Sequence, residues 1–129
     1  MKTIEFSTRQ KFEIVELTSQ LEDFVSKSKI NEGICLVFTP HATAAVILNE
    51  NESGLKDDII LQVKTMFSGD YKHDKIDNNT QAHLAASFFG QGVTIPIIEN
   101  GPVLGIWQSL LFCEFDGPRT KRTVIMIAK

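Results

Sequence analysis

The chain has 129 residues, 43% of them hydrophobic and 22% charged, a balance that fits one globular domain with a single core and argues against disorder. A net charge of −3 gives no basic footprint for nucleic acid, and no apolar stretch approaches the roughly 20 residues of a membrane span. The first residues, Met1 to Phe6, lack the apolar core of a signal peptide, so a soluble cytoplasmic protein is the expectation.

Residues 3–7 and 11–16 alternate polar and apolar side chains, the period-two signal of half-buried strands, with Thr8-Arg9-Gln10 as the turn between them. Ser19 and Glu22 have the S-x-x-E spacing of a capping box, and Leu21, Phe24 and Val25 form an apolar stripe behind it, predicting a helix. Asn31-Glu32-Gly33 ends that segment. Two short apolar runs follow, Ile34 to Phe38 and Ala44 to Leu48, joined by Thr39-Pro40-His41-Ala42-Thr43. Strand-connecting loops of this kind collect binding and catalytic groups, which singles out His41. Just beyond the second run stand Asn49, Glu50 and Asn51.

Leu55, Ile59, Ile60, Val63, Met66 and Phe67 recur at three- and four-residue steps and predict a core-facing helix over 55–67. Residues 68–80 lack apolar periodicity and read as a long polar loop carrying His73. Asn79 or Thr80 can cap a helix running to Phe89, with Leu84, Ala85 and Phe88 facing inward and His83 in its first turn. Val93 to Ile98 is a strand whose Pro96 suggests an edge or a bulge, and Glu99-Asn100-Gly101-Pro102 is a turn. Val103 to Phe115 reads as one long strand bent near Gly105, and Arg122 to Ala128 as the last.

Cys35 and Cys113 lie in apolar runs without metal-type spacing and read as buried thiols. The glycines form no phosphate-loop or dinucleotide fingerprint. Three imidazoles, His41, His73 and His83, together with an open position, make the layout of a catalytic zinc site, although spacings of 32 and 10 residues match no local zinc motif. His83 in a first helical turn would feel the positive helix end, which favours its neutral form. Histidines hydrogen-bonded locally at the surface are the plain alternative. In the strand approaching Phe115, Gln108 and Glu114 share a face with Leu110 and Phe112. A carboxylate there needs a partner or a function: either a salt bridge to Arg119, Lys121 or Arg122, or membership of an anion site in which arginines recognise phosphate. Glu50 is a candidate base, ligand or turn residue.

The ordered motifs His41-Ala42-Thr43-Ala44-Ala45, Ile47-Leu48-Asn49-Glu50-Asn51, Tyr71-Lys72-His73, Ala82-His83-Leu84, Ile95-Pro96-Ile97, Leu104-Gly105-Ile106-Trp107-Gln108 and Glu114-Phe115-Asp116-Gly117-Pro118-Arg119 resemble the YjbQ-like family over nearly the whole chain. The resemblance implies a single α+β domain over 1–129, with mostly antiparallel sheets packed as a sandwich, two or three helices and assembly as a homotrimer. It further implies a polar pocket gathering the three histidines, Glu50 and the Glu114/Arg119 end, with a divalent metal such as zinc as occupant. Ala42 and Ile106 stand where the family usually has threonine. Members of the family are often described as secondary thiamine-phosphate synthases, but the chain has no aspartate-rich diphosphate motif, and three histidines suit zinc-assisted hydrolysis or lyase chemistry as well.

The expectation is therefore an enzyme acting on a small phosphorylated or anionic substrate, a thiamine precursor among the candidates. His41, Glu50 and Glu114 are its catalytic candidates. Arg119, Arg122, Asn49 and Gln108 are substrate or anion binders, and His41, His73 and His83 metal ligands. The alternatives are a non-catalytic trimer that binds a metal or metabolite, and a structural trimer whose histidines are incidental.

Overall fold

A computed structural model describes all 129 residues. Its elements are β1 (Lys2–Phe6), β2 (Glu13–Glu16), α1 (Thr18–Ser28), β3 (Glu32–Phe38), β4 (Ala44–Asn49), α2 (Ser53–Met66), a 3-10 turn (Lys72–Lys75), α3 (Thr80–Phe89), β5 (Gly92–Ile98), β6 (Gly101–Pro102), β7 (Ser109–Glu114) and β8 (Arg122–Ala128). Every strand pairing is antiparallel. Five strands in the order β1-β8-β3-β5-β6 form one sheet, and β2-β7-β4 form the other. No helix is long and apolar enough to cross a membrane.

Strand alternation sets three layers. Cys35, Val37, Ile95, Ile97, Val124 and Met126 point from the large sheet toward Ala44, Val46, Leu110 and Phe112 of the small one, with Leu17, Leu21 and Val25 of the α1 segment completing that core. The opposite face of the small sheet presents Ala45 and Cys113 to Val63, Phe67, Ala82, Ala85 and Ala86 of the α2–α3 layer. Both cysteines are buried thiols, as expected.

Several local expectations give way to tertiary packing. β1 and β2 do not form a hairpin: they belong to different sheets, and Thr8 between them is buried rather than a surface turn residue. The Ser19/Glu22 capping box is not formed, because the helix starts at Thr18 after Leu17, and the Thr18 hydroxyl instead accepts the Leu110 N–H at 2.9 Å. In α2 only Val63 is buried, and Leu61 and Met66 face solvent, since only one side of this outer helix meets α3. In α3 the inward set is Ala82, Ala85 and Ala86, whose small side chains allow close approach to β4, while Phe88 is 71% exposed. The predicted strand 103–115 is broken, so that Trp107 and Gln108 lie in a turn before β7.

At one end of the sandwich the apolar core is replaced by an ion pair. Glu114 from β7 and Arg122 from β8 both point between the sheets and are almost wholly buried. Arg122 donates from Nε to Oε2 at 2.7 Å and from Nη2 to Oε1 at 2.5 Å, a bidentate fork that joins the two sheets. The remaining capacity of the carboxylate is filled by the Thr8 hydroxyl at 2.8 Å and the Asp116 N–H at 3.0 Å, and Arg122 Nη2 also donates to Thr43 Oγ1 at 2.9 Å. Gly117 is required beside it, because a Cβ there would stand 2.0 Å from the backbone oxygen of Gln10.

Removing one partner of a buried pair strands the other charge. Glu114→Gln is therefore expected to cost about 3–5 kcal/mol in urea unfolding, a large share of a typical domain's stability. The double change Glu114→Met with Arg122→Met should cost less than the two single changes together. Additive losses would show that the pair is not the energetic link between the sheets.

Candidate functional site

The site grows from the loop after β3 and the turn after β7, both fastened to the buried pair. Thr39 Oγ1 donates to the Thr123 carbonyl at 2.8 Å, and the Thr123 N–H donates to His41 Nε2 at 2.9 Å. A backbone N–H can only donate, so Nε2 carries the lone pair and the neutral ring carries its proton on Nδ1. The half-buried His41 has its pKa lowered, first by burial, then by the Arg122 charge and, more weakly, that of Arg119; Glu114 opposes the shift. His41 is thus held as a neutral donor.

A second chain of hydrogen bonds starts in the 3-10 turn. His73 Nε2 lies 2.9 Å from Asn79 Oδ1, and Asn79 Nδ2 donates to Asp116 Oδ2 at 2.9 Å. Because Asp116 fixes the amide with its nitrogen toward the carboxylate, Asn79 presents an acceptor, so His73 Nε2 carries a proton and Nδ1 of the neutral ring holds a lone pair. The His83 ring meets His73 edge-on with centroids 4.8 Å apart. At the far end Arg119 donates to Asp116 twice, from Nη2 to Oδ2 at 2.8 Å and from Nε to the backbone oxygen at 2.9 Å, which leaves the Nη1 N–H groups uncommitted. The Arg119 N–H is itself held by Thr8 Oγ1 at 3.0 Å.

Asp74, beside His73, accepts the Thr80 N–H at 3.0 Å and so supplies the cap of α3 that the sequence suggested for Asn79 or Thr80. That hydrogen bond holds its carboxyl below the ordinary range. A cavity of about 180 Å³ opens beside this cap, lined by Lys11, Tyr71, Asp74, Asn79 and Gln81 among others; His41 and Arg119 do not line it.

The expected constellation is divided within the chain. His41, His73, His83, Arg119, Arg122 and Glu114 belong to one end. Asn49, Glu50 and Gln108 belong to the other: Asn49 pairs with Ser109 and Ala44 with Glu114, five residues or about 17 Å along the strand. There Asn49 Oδ1 accepts the Glu50 N–H at 2.8 Å and Gln108 Oε1 the Gly105 N–H at 2.8 Å, both local turn contacts. Glu114 has no free lone pair for acid–base work and Arg122 faces inward, so both serve the architecture. Lys121 makes a surface pair with Glu5 at 3.2 Å.

No three His, Cys, Asp or Glu side chains are arranged to hold a metal ion. The expected triad does not fit a metal within one chain: His41 Nε2 is engaged by Thr123 and Nδ1 carries the proton, while His73 Nε2 is engaged by Asn79. Sequence reasoning passed over Asn79 and Asp116 as site residues, seeing one as a cap and the other as a turn. Their signal lay only in being polar groups beside marked residues.

Because the folded state favours neutral His41, the unfolded chain takes up its proton first as pH falls through the ordinary value of 6.5. Its contribution is full above that pH and is lost progressively below it, down to the lowered folded value. His41→Gln should flatten this part of a urea-stability profile. Nitrogen-15 NMR should show Nδ1 protonated and Nε2 bare at neutral pH; a protonated Nε2 would contradict the assignment.

The chain matches the model of a family described as UPF0047 protein YjbQ-like over residues 2–129. It is 41% identical to a UPF0047 protein of Archaeoglobus fulgidus, covering 92% of this chain and 93% of that one, and 34% identical to the UPF0047 protein YugU of Bacillus subtilis, covering 97% and 96%. Among solved structures it superposes with a TM-score of 0.95 on a protein of unknown function from Sulfolobus solfataricus, at 42% identity and covering 98% and 94%. An uncharacterised conserved protein of Clostridium acetobutylicum gives a TM-score of 0.94 at 32% identity, with both chains fully covered. Matched end to end in sequence and in fold, the chain belongs to the UPF0047, YjbQ-like family.

Proposed function

We propose that this protein is a small-molecule enzyme that binds a phosphorylated or otherwise anionic metabolite at Arg119 and His41 and moves a proton with His73. The observation that carries the reading is the Arg119–Asp116–Asn79–His73 chain. Asp116 holds the Arg119 guanidinium in one orientation with Nη1 directed away from its partner, a preorganised fork for a phosphate or carboxylate oxygen. The Nδ1–H of neutral His41, whose ring feels the Arg119 charge, is proposed as a second donor.

At the other end of the chain, His73 Nδ1 is the base. When it takes a proton, the Nε2–H remains hydrogen-bonded to Asn79 Oδ1, and the Asp116 carboxylate behind the amide stabilises the imidazolium. His83 packs on the ring edge and fixes its plane. This reading replaces Glu50, which lies at the far end of the small sheet, and Glu114, which is saturated, by His73 as the acid–base group, and takes no step through a metal. A thiamine precursor stays among the substrates that the family resemblance suggests, because it offers the anionic handle that Arg119 requires. The protein is further proposed to work as an assembly of several copies, as that resemblance implies.

Titration calorimetry with inorganic phosphate tests the anion site: Arg119→Met should weaken binding by about tenfold or more, the equivalent of one charge-assisted hydrogen bond. A screen of phosphorylated metabolites tests the chemistry, with His73→Gln expected to keep phosphate binding while lowering turnover by about 10²–10⁴-fold. Unchanged phosphate affinity in Arg119→Met would overturn the anion site. Phosphate binding without turnover of any such metabolite would favour the non-catalytic binding protein.

A further inference from the structure

The cavity of about 180 Å³ beside the α3 cap takes no part in the anion site at Arg119 and His41, and its wall has a chemistry of its own. It brings Lys11, from the segment before β2, together with Asp74, Asn78 and the Thr80–Gln81 start of α3. Lys11 and Asp74 carry opposite charges. The Lys11 charge helps to hold the Asp74 carboxyl low, yet the two form no ion pair, and the salt bridges of the chain lie elsewhere. Asp74 uses Oδ1 for the Thr80 N–H at 3.0 Å, which leaves Oδ2 for another donor. The Lys11 ammonium meets only the ring of Phe12, at 5.6 Å from its centroid.

Thr80 points to a ligand independently of these charges. The residue is only 8% exposed, and its Oγ1 is the one buried side-chain nitrogen or oxygen of the chain with no hydrogen-bond partner. A buried hydroxyl left unbonded is costly, and such a group calls for a partner from outside the chain. The next N–H along, that of Gln81 in the first turn of α3, also finds no backbone acceptor, and open N–H groups at a helix start suit a carboxylate. The wall is preformed. Gln81 Nε2 donates to the Lys64 and Phe67 carbonyls at 3.3 and 3.2 Å, fastening the end of α2 to the start of α3. The Tyr71 ring lies so close over Gly69 that a Cβ there would stand 2.9 Å from it.

A lone anion in this cavity would be repelled by Asp74 and a lone cation by Lys11, whereas a molecule carrying both charges satisfies both walls. Size narrows the class. A cavity of roughly 150 Å³ holds a benzene ring, so this one takes a molecule of about six to eight non-hydrogen atoms. We propose that the cavity binds a small polar α-amino acid of the size of serine, with its ammonium on Asp74 and its carboxylate on Lys11 and the first turn of α3, where the Thr80 hydroxyl gains its missing partner. Asn79 also lines the cavity, and its amide is the group that holds His73 Nε2. The bound amino acid thus lies one side chain from the base of the functional reading above, although the site itself does not rest on that reading.

Titration calorimetry of the intact chain with L-serine tests the site, beside glycolate and 2-aminoethanol, which each lack one of the two charges. Serine should bind at least about tenfold more tightly than either, and Lys11→Met, a change at an exposed position, should weaken it by about tenfold or more. Thr80→Val should also weaken serine binding while leaving the urea midpoint of the free protein unchanged or raised, because the hydroxyl it removes has no partner in the fold. No binding at millimolar serine, glycolate or 2-aminoethanol binding as tightly, or an affinity indifferent to Lys11→Met overturns the proposal. So does a lowered midpoint in Thr80→Val, which would show the hydroxyl already engaged within the chain. Arg119→Met should leave serine binding unchanged, so a chain that binds serine but no phosphate overturns the functional reading alone, and one that binds phosphate but no serine overturns this site alone.

Discussion

The buried fork between Glu114 and Arg122 is the interaction on which the rest of this structure depends. A carboxylate and a guanidinium are costly to bury, and both are retained here because each is saturated: Glu114 by Arg122, Thr8 and the Asp116 N–H, Arg122 by Glu114 and Thr43. The pair stands where the apolar core of the sandwich stops and links a strand of one sheet to a strand of the other. Its ligands come from the segment after β1, the loop before β4 and the turn after β7, which places three irregular segments at one point. Thr8 also holds the Arg119 N–H, so the turn that presents the candidate anion fork is tied to the same centre.

This arrangement gives two arginines two different tasks. Arg122 is spent inside the protein, and its charge reaches His41 only as a field that works with burial to keep the imidazole neutral. Arg119 faces outward, steadied on one side by Asp116 and open on the other. Asp116 is the pivot of the site, since its carboxylate orients the guanidinium and, through Asn79, also sets which nitrogen of His73 carries the proton. A site built this way has its donors and acceptors assigned before any ligand arrives, which is the condition for electrostatic preorganisation.

Much of the scaffold was legible in the residue pattern. Period-two alternation located most of the strands, the two cysteines read correctly as core thiols, and Glu114 was marked as a carboxylate needing a partner among Arg119, Lys121 and Arg122. What local pattern could not supply was layer membership. The stripe of α2 has helical spacing, yet that helix lies at the outside of the fold and buries little of it; β1 and β2 are neighbours in sequence and part company into different sheets. Within the site the three histidines are visible in the sequence, but the groups that orient the ring nitrogens of two of them are not. His41 is fixed by a backbone N–H, and His73 by a carboxamide that depends on Asp116, 37 positions further on. Neither a peptide N–H nor a long-range amide leaves a spacing signature.

The most direct test of this account is a crystal structure of the intact protein grown with inorganic phosphate. The account predicts phosphate against Arg119 Nη1 and the Nδ1–H of His41, with Asp116 still bridging Arg119 to Asn79. Phosphate bound elsewhere, or Arg119 swung away from Asp116 to leave no fixed fork, would contradict it.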